Sequence, residues 1–259
     1  MEITIHEKLA DALKNAEKSC VAIDQVSKDN VDLTVDDAYK IQLINIEKEL
    51  ADGKKITGKK IGLTSLAVQN MLGVSTPDFG HLLDSMEVKN NTIQINTMLQ
   101  PKVEGEIAFV LKDDVKGPNA TAEDVLNATE YVAAAIEIVD SRVKDWKIKL
   151  VDTVADNASS GMYIISDKKV DPKTIDLKSL NMDLYEGDEK INSGLGSAVL
   201  GDPAFSVAWL ANALSKYGVV LKKGEVVLSG ALSGMLTAEK GSEYTAMFSE
   251  LGSVSVKFE

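Results

Sequence analysis

Two acids on one face of a strand, and a third inside an otherwise apolar strand, restrict this chain more than any other feature. Glu104 and Glu106 lie in Lys102-Val103-Glu104-Gly105-Glu106-Ile107-Ala108-Phe109. Strand side chains alternate, so both acids project to the same side. Glu137 lies in Ala133-Ala134-Ala135-Ile136-Glu137-Ile138-Val139-Asp140, where its flanks describe a strand covered on both faces. An isolated Glu-x-Glu pair also describes the solvated face of an amphipathic strand. Glu137 has no such reading, because its apolar neighbours bury it. Converging carboxylates repel and lose hydration, so the cluster needs a cation or shared protons. An all-oxygen set without Cys or His favours magnesium or manganese over zinc and leaves calcium open.

At 259 residues the chain can bury roughly three quarters of its unfolded surface. With 44% hydrophobic and 26% charged residues it reads as soluble and globular, and no uncharged run could span a bilayer. A net charge of -12 with no basic patch argues against nucleic acid or an anionic membrane as partner. Met1 to Lys18 lacks the apolar stretch of a secretory signal, and Cys20 is the only cysteine. A reducing cytoplasm is the expected setting, with Cys20 a small buried hydrophobe. Arg142 is the single arginine among 28 basic residues, either a required planar donor or an ordinary surface ion-pair partner.

Helical spacing marks Ile5 to Val21 and Thr34 to Asp52, with Thr34 as N-cap. Beyond Gly53 the pattern turns to short strands: 56–63, 92–95, 103–111, 132–139, 162–165, 182–185, 226–228, 244–248 and 254–258. Helices are expected at 65–72, 122–130 and 202–217, the last with Asp202 as cap and Pro203 at its first position. Few regular strand-helix alternations disfavour a doubly wound sheet or a (β/α)₈ barrel. The expectation is an α+β fold: an N-terminal helical region, 1–53, and a mixed β core, 54–259, in one compact unit. His6 and His81 are expected at the surface, Trp146 and Trp209 in packing.

Five segments resemble one family in order: Gly58 to Ser65, Pro77-Asp78-Phe79-Gly80, Pro101 to Phe109, Glu137 to Arg142, and Asp152 to Gly161. They are similar to the 2-keto-4-pentenoate (2-hydroxypenta-2,4-dienoate) hydratases, grouped with the 4-oxalocrotonate decarboxylases in the fumarylacetoacetate hydrolase-like superfamily. The resemblance implies a mixed β-sandwich roll, a homo-oligomer, and Mg2+ or Mn2+ at Glu104, Glu106 and Glu137. It also implies acid/base or substrate-orienting roles for Lys60 and Asp78, and substrate-facing polar groups at Asn157, Ser160 and Ser229. On residues alone, Lys60 is one more lysine after Lys59 and Asp78 a turn residue after Pro77. One departure stands out: Ser229-Gly230-Ala231 lacks the second hydroxyl residue usual in this element.

The implied activity is hydration of 2-hydroxypenta-2,4-dienoate to 4-hydroxy-2-oxopentanoate in aromatic catabolism. The alternatives are decarboxylation of 4-oxalocrotonate, carbon-carbon hydrolysis, or a non-catalytic, cation-stabilised oligomer.

Overall fold

The computed structural model describes residues 3–65, 69–70 and 73–259. Its centre is the pairing of β4 (Pro101–Leu111) with β5 (Thr129–Asp140). The two run antiparallel with Val103 opposite Ile138 and Ile107 opposite Ala134. One face of β4 carries Val103, Ile107 and Phe109 into the main core, where Ile136 and Ile138 of β5 join them. Such residues are β-branched or aromatic and pack well on a pleated surface. The other face carries Glu104, Glu106 and Ala108.

Around this pair a seven-stranded sheet forms in the order β2-β1-β9-β4-β5-β6, with β10 also on β4. Its further members are β1 (Ile56–Gly62), β2 (Asp78–Leu83), β6 (Ser160–Ile165), β9 (Val226–Ala231) and β10 (Leu236–Thr237). A second sheet, in the order β3-β12-β11-β7-β8, supplies Met182, Leu184, Val256 and Phe258 to the same core. It comprises β3 (Thr92–Ile93), β7 (Asn181–Glu186), β8 (Glu189–Leu195), β11 (Glu243–Phe248) and β12 (Gly252–Phe258). The mixture of parallel and antiparallel pairs with few helices is the α+β class expected.

Helices α1 (Ile5–Ser19) and α2 (Val35–Ala51) each begin with a capping box, at Thr4/Glu7 and Thr34/Asp37. They bury Ala10, Leu13, Ala38 and Ile41 in the main core. Shorter helices α3 (Ala122–Ala128) and α4 (Leu150–Ala155) precede α5 (Pro203–Ser215), which has the Asp202 cap and Pro203 start read from the sequence. Among the described residues no helix is long and apolar enough to cross a membrane. The helix expected over 65–72 falls largely on residues outside the described set.

Several local readings change. Pro77 to Gly80 reads as a turn, yet Asp78 begins β2, all six residues of which are buried. Pairing with β1 outweighs the local turn signal of Asp and Gly. The same pairing encloses His81, which is buried rather than at the surface. Cys20 is exposed: it is the left-handed C-cap of α1, a position set by the helix end and not by hydrophobicity.

His81 is held by Gln42 of α2. The Gln42 amide donates to the Phe79 and Val154 carbonyls, which turns its oxygen toward His81 Nδ1 at 2.9 Å. That bond fixes the neutral tautomer with the proton on Nδ1. Burial, reinforced by nearby Lys59, pushes the imidazole pKa down to about 3. The unfolded chain therefore binds a proton that the folded chain refuses between pH 6.5 and about 3. Stability from His81 is complete above pH 6.5 and falls with acidification, by up to about 1.4 kcal/mol per pH unit. Urea unfolding of His81→Asn should lose this part of the acid sensitivity between pH 7 and 4.5. An identical pH slope in the variant and the parent would contradict it.

Candidate metal centre and active site

The β4–β5 register explains why the acids meet. Glu104 is the direct cross-strand partner of Glu137, and Glu106 faces Ala135 one pleat along the same surface. The three offer carboxylate oxygens that all lie within 4.8 Å of one another. Glu106 and Glu137 are buried, and Glu104 is half-buried at a cavity wall. Glu106 Oε2 accepts from the Gly230 amide at 2.8 Å, whereas neither oxygen of Glu137 has a hydrogen-bond donor.

Lys60 enters from β1, on the strand face shared with Gly58 and Gly62. Its ammonium lies 3.2 Å from Glu137 Oε1 and donates to the Ala158 carbonyl at 3.0 Å. The first contact is an ion pair not aligned as a hydrogen bond, which is why Glu137 stays without a donor. Asp78 stands opposite Gly62 across β1–β2. A Cβ at Gly62 would lie 2.2 Å from Asp78 Oδ1, so only glycine leaves room for that carboxylate beside Lys60.

The electrostatics follow from enclosure. Burial, then Glu137, pushes the Glu104 pKa up to about 7, with Lys60 opposing. Burial and the neighbouring carboxylates hold Glu106 well above the ordinary range. Burial likewise raises Glu137 and Asp78 against the pull of Lys60. For Lys60 burial disfavours the ammonium, but Glu137, Asp78, Glu104 and Glu106 outweigh it and raise its pKa. Lys60 is therefore a fixed positive charge, and one such charge does not balance four acids. Orphaned Glu137 oxygens, an all-carboxylate donor set and an uncompensated negative potential fit a hard divalent cation.

A cavity of about 350 Å³ opens at this centre, with Lys60, Asp78 and Glu104 in its wall. Its remaining wall is largely apolar, with Leu63, Val139, Trp146, Ile148, Ala231 and Met235. Four wall residues, Leu63, Trp146, Ala158 and Ser159, have positive φ between 51° and 57°. Each such non-glycine conformation costs on the order of 1–3 kcal/mol and persists only where neighbours enforce it.

Arg142 is a chief enforcer. It is buried, and Nη1 donates to the carbonyls of Asp140 and Ser160, both at 2.7 Å. Its Nε donates to Asp156 Oδ1 and its Nη2 to the Asp156 carbonyl. Asp156, pushed up to about 6 by burial against the pull of Arg142, also accepts from Ser159 Oγ. The planar donor therefore pins the strained stretch that aims the Ala158 carbonyl at Lys60.

Asn157 and Ser160 are not among the residues that line this cavity. The Asn157 amide exchanges two bonds with the His81 backbone, at 2.7 and 2.9 Å, and Ser160 Oγ donates to the Asn157 carbonyl. Both line a separate cavity of about 240 Å³ near Leu13 and Lys14. Their hydrogen bonds brace β2 against the 157–159 stretch. Ser229 is fully buried with an unpartnered hydroxyl two residues from the cavity wall. Ala158, Ser159, Ser233 and Met235 escape sequence reasoning because irregular backbone carries no periodic signal. Trp146, expected only to pack, forms cavity wall, its indole donating to the Gln100 carbonyl and facing Lys102 Nζ at 4.8 Å from the ring centre.

Comparison with known proteins agrees with this architecture. Residues 74–259 match the family model described as fumarylacetoacetate (FAA) hydrolase C-terminal. A 2-hydroxyhexa-2,4-dienoate hydratase of Comamonas testosteroni is 45% identical over 255 residues, covering 97% of this chain and 95% of the relative. A 2-keto-4-pentenoate hydratase of Paraburkholderia xenovorans is 43% identical over 254 residues, covering 98% and 94%. Among solved structures, the 4-oxalocrotonate decarboxylase of Pseudomonas putida G7, complexed with magnesium and adipate, superposes with a TM-score of 0.95 at 34% identity, covering 100% of this chain and 99% of that one. The chain belongs to the 2-keto-4-pentenoate hydratase and 4-oxalocrotonate decarboxylase family of the fumarylacetoacetate hydrolase-like superfamily.

Proposed function

We propose that the protein is a metal-dependent hydro-lyase that converts 2-hydroxypenta-2,4-dienoate to 4-hydroxy-2-oxopentanoate in the breakdown of aromatic ring-cleavage products. The observation that carries it is a compact carboxylate and lysine centre in the wall of a largely apolar cavity. A dienoate has matching halves, an anionic oxygen-rich head and a hydrocarbon tail.

Glu104, Glu106 and Glu137 hold the ion, Mg2+ or Mn2+, in this reading. When bound it supplies Lewis acidity to the oxygens of the 2-hydroxy acid head. Lys60 adds a fixed ammonium beside that head and balances its charge. Asp78, with a raised pKa and an unpartnered Oδ1, can take or return a proton in an enclosed site. In the first stage the 2-hydroxyl proton leaves and carbon 5 gains one, which conjugates the remaining double bond with the 2-oxo group. Water then adds its oxygen to carbon 4, and carbon 3 takes a proton. Leu63, Trp146, Ile148 and Met235 shield the tail from bulk water.

The cavity wall bears on the rival activity. 4-Oxalocrotonate has a second carboxylate at the far end of its chain. Among the described lining residues Lys60 is the single cation, and it is committed to the acid cluster. A carboxylate against Trp146, Ile148 and Val139 would be desolvated with no cationic side chain among the described lining residues free to pair with it. The wall therefore favours the hydratase.

Further parts of this reading rest on the family resemblance. The helices of 1–53 form a layer over the 54–259 β core, which takes the sandwich-roll form. The enzyme works in the cytoplasm as a homo-oligomer, for which exposed Ile3, Val21, Val31, Phe205 and Met247 offer apolar contact area.

The dienoate chromophore should bleach on addition of enzyme with Mg2+ or Mn2+, and a chelator should stop the reaction. Carbon dioxide released from 4-oxalocrotonate without bleaching of the dienoate would instead identify a decarboxylase. Glu106→Gln should lose metal affinity and at least about 100-fold in turnover while staying folded, since it removes a ligand. Full activity of that variant without added metal would overturn the assignment. Lys60→Ala should retain metal yet slow turnover by about 100-fold or more, the scale of one lost electrostatic donor. An unchanged rate would remove Lys60 from the mechanism.

A further inference from the structure

Among the described residues of the cavity wall, Ser233 carries a hydroxyl that is both enclosed and unpartnered. Ser233 lines the cavity, and its Oγ is shielded from solvent with no hydrogen-bond partner. A buried hydroxyl left in this state costs roughly 1–3 kcal/mol, so its position needs a reason.

The backbone around it is fixed from both sides. Leu232 is buried, and its amide donates to the Gly105 carbonyl at 3.0 Å. The Gly234 carbonyl accepts from Asn192 Nδ2 at 3.0 Å, which ties the segment to β8 of the second sheet. Leu236 then pairs with Val103. The segment thus runs alongside β4 between Gly105 and Val103 and brackets Glu104, the acid of the trio that lines the cavity. Ser233 thus shares the cavity with Lys60, Asp78 and Glu104, on a segment that flanks Glu104.

Glu104 accepts no bond from this hydroxyl, since Ser233 Oγ has no partner at all. A free donor on the segment flanking Glu104, in a site that takes an oxygen-rich anion, matches a carboxylate oxygen. We propose that Ser233 is a substrate-binding residue whose hydroxyl donates a hydrogen bond to the 1-carboxylate of a 2-oxo or 2-hydroxydienoic acid. The assignment rests on the hydratase reading for the nature of that acid. It supplies a polar contact from position 233 in a segment where Ala231 has no hydroxyl to offer. The apolar wall is left to the tail, and Ser233 discriminates at the head.

The test separates head from tail by using 2-oxobutanoate, which has the 2-oxo acid head and no diene. Calorimetric titration of the Mg2+-loaded protein should give a Kd for 2-oxobutanoate about tenfold weaker in Ser233→Ala than in the parent, the scale of one hydrogen bond to a charged group. With 2-hydroxypenta-2,4-dienoate, the same variant should lose kcat/KM through a raised KM. Ser233→Thr, which keeps the hydroxyl, should recover most of the affinity, and neither variant should melt below the parent. Parent-like binding of 2-oxobutanoate by Ser233→Ala would overturn the proposal, whatever happens to KM. Loss of affinity in Ser233→Ala and Ser233→Thr alike, with a lowered melting temperature, would also overturn it by assigning the residue to packing. A parent protein that binds 2-oxobutanoate but leaves the dienoate unchanged would defeat the hydratase reading alone, because the calorimetric comparison still reads Ser233.

Discussion

Facing carboxylates on paired strands are the constraint from which the rest of this molecule follows. Glu104 and Glu137 are direct cross-strand partners, with Glu106 on the same surface. Like charges opposite one another destabilise a sheet even at the surface, and enclosure makes the repulsion worse. The chain meets this with Lys60, which reaches Glu137, and with the Gly230 amide on Glu106. Those contacts leave the centre short of positive charge. A site short of positive charge is what a cation, and then an anion carried by that cation, can use.

Such a site needs a rigid frame, because carboxylates that can swing apart relax the repulsion instead of storing it. The β4–β5 register gives that frame: a slip of one residue would put Glu137 on the opposite face from Glu104 and Glu106. The core on that face, with Val103, Ile107, Ile136 and Ile138, makes the slip prohibitive. Beside Lys60, Arg142 and Asp156 hold three consecutive left-handed residues, Asn157 to Ser159. The same stretch directs the Ala158 carbonyl to Lys60 and the Asn157 side chain to β2. Strain and polar bracing are thus concentrated where the charges meet.

What could be read from the residues divides along physical lines. Strand alternation puts Glu104 and Glu106 on one face without any structure, and the apolar flanks of Glu137 mark it as a buried acid. Helices α1, α2 and α5 announce themselves by caps and spacing. Lys60 and Asp78 had no such signal. Lysine beside lysine looks solvated, and Asp after Pro looks like a turn, until β1 pairs with β2 and both are enclosed. His81 and Cys20 depart from their expected places for the same reason in opposite directions: burial is decided by what packs on a segment, not by its own composition. Arg142 stood out by rarity, but its partners, Asp140, Asp156 and Ser160, are assembled only by the fold. Asn157 and Ser160 sit in a motif the resemblance marks as part of the site, yet a motif does not say which way a side chain faces.

The most direct test of the central claim is calorimetric titration of the protein with Mn2+ at pH 7 in two buffers of different ionisation enthalpy, alongside Glu137→Gln. Carboxylates held at raised pKa by burial and mutual repulsion must give up protons when a cation binds. The account predicts one Mn2+ per chain, proton release shown by a buffer-dependent heat, and loss of high-affinity binding in the variant. No binding, or binding of equal strength in Glu137→Gln, would contradict it.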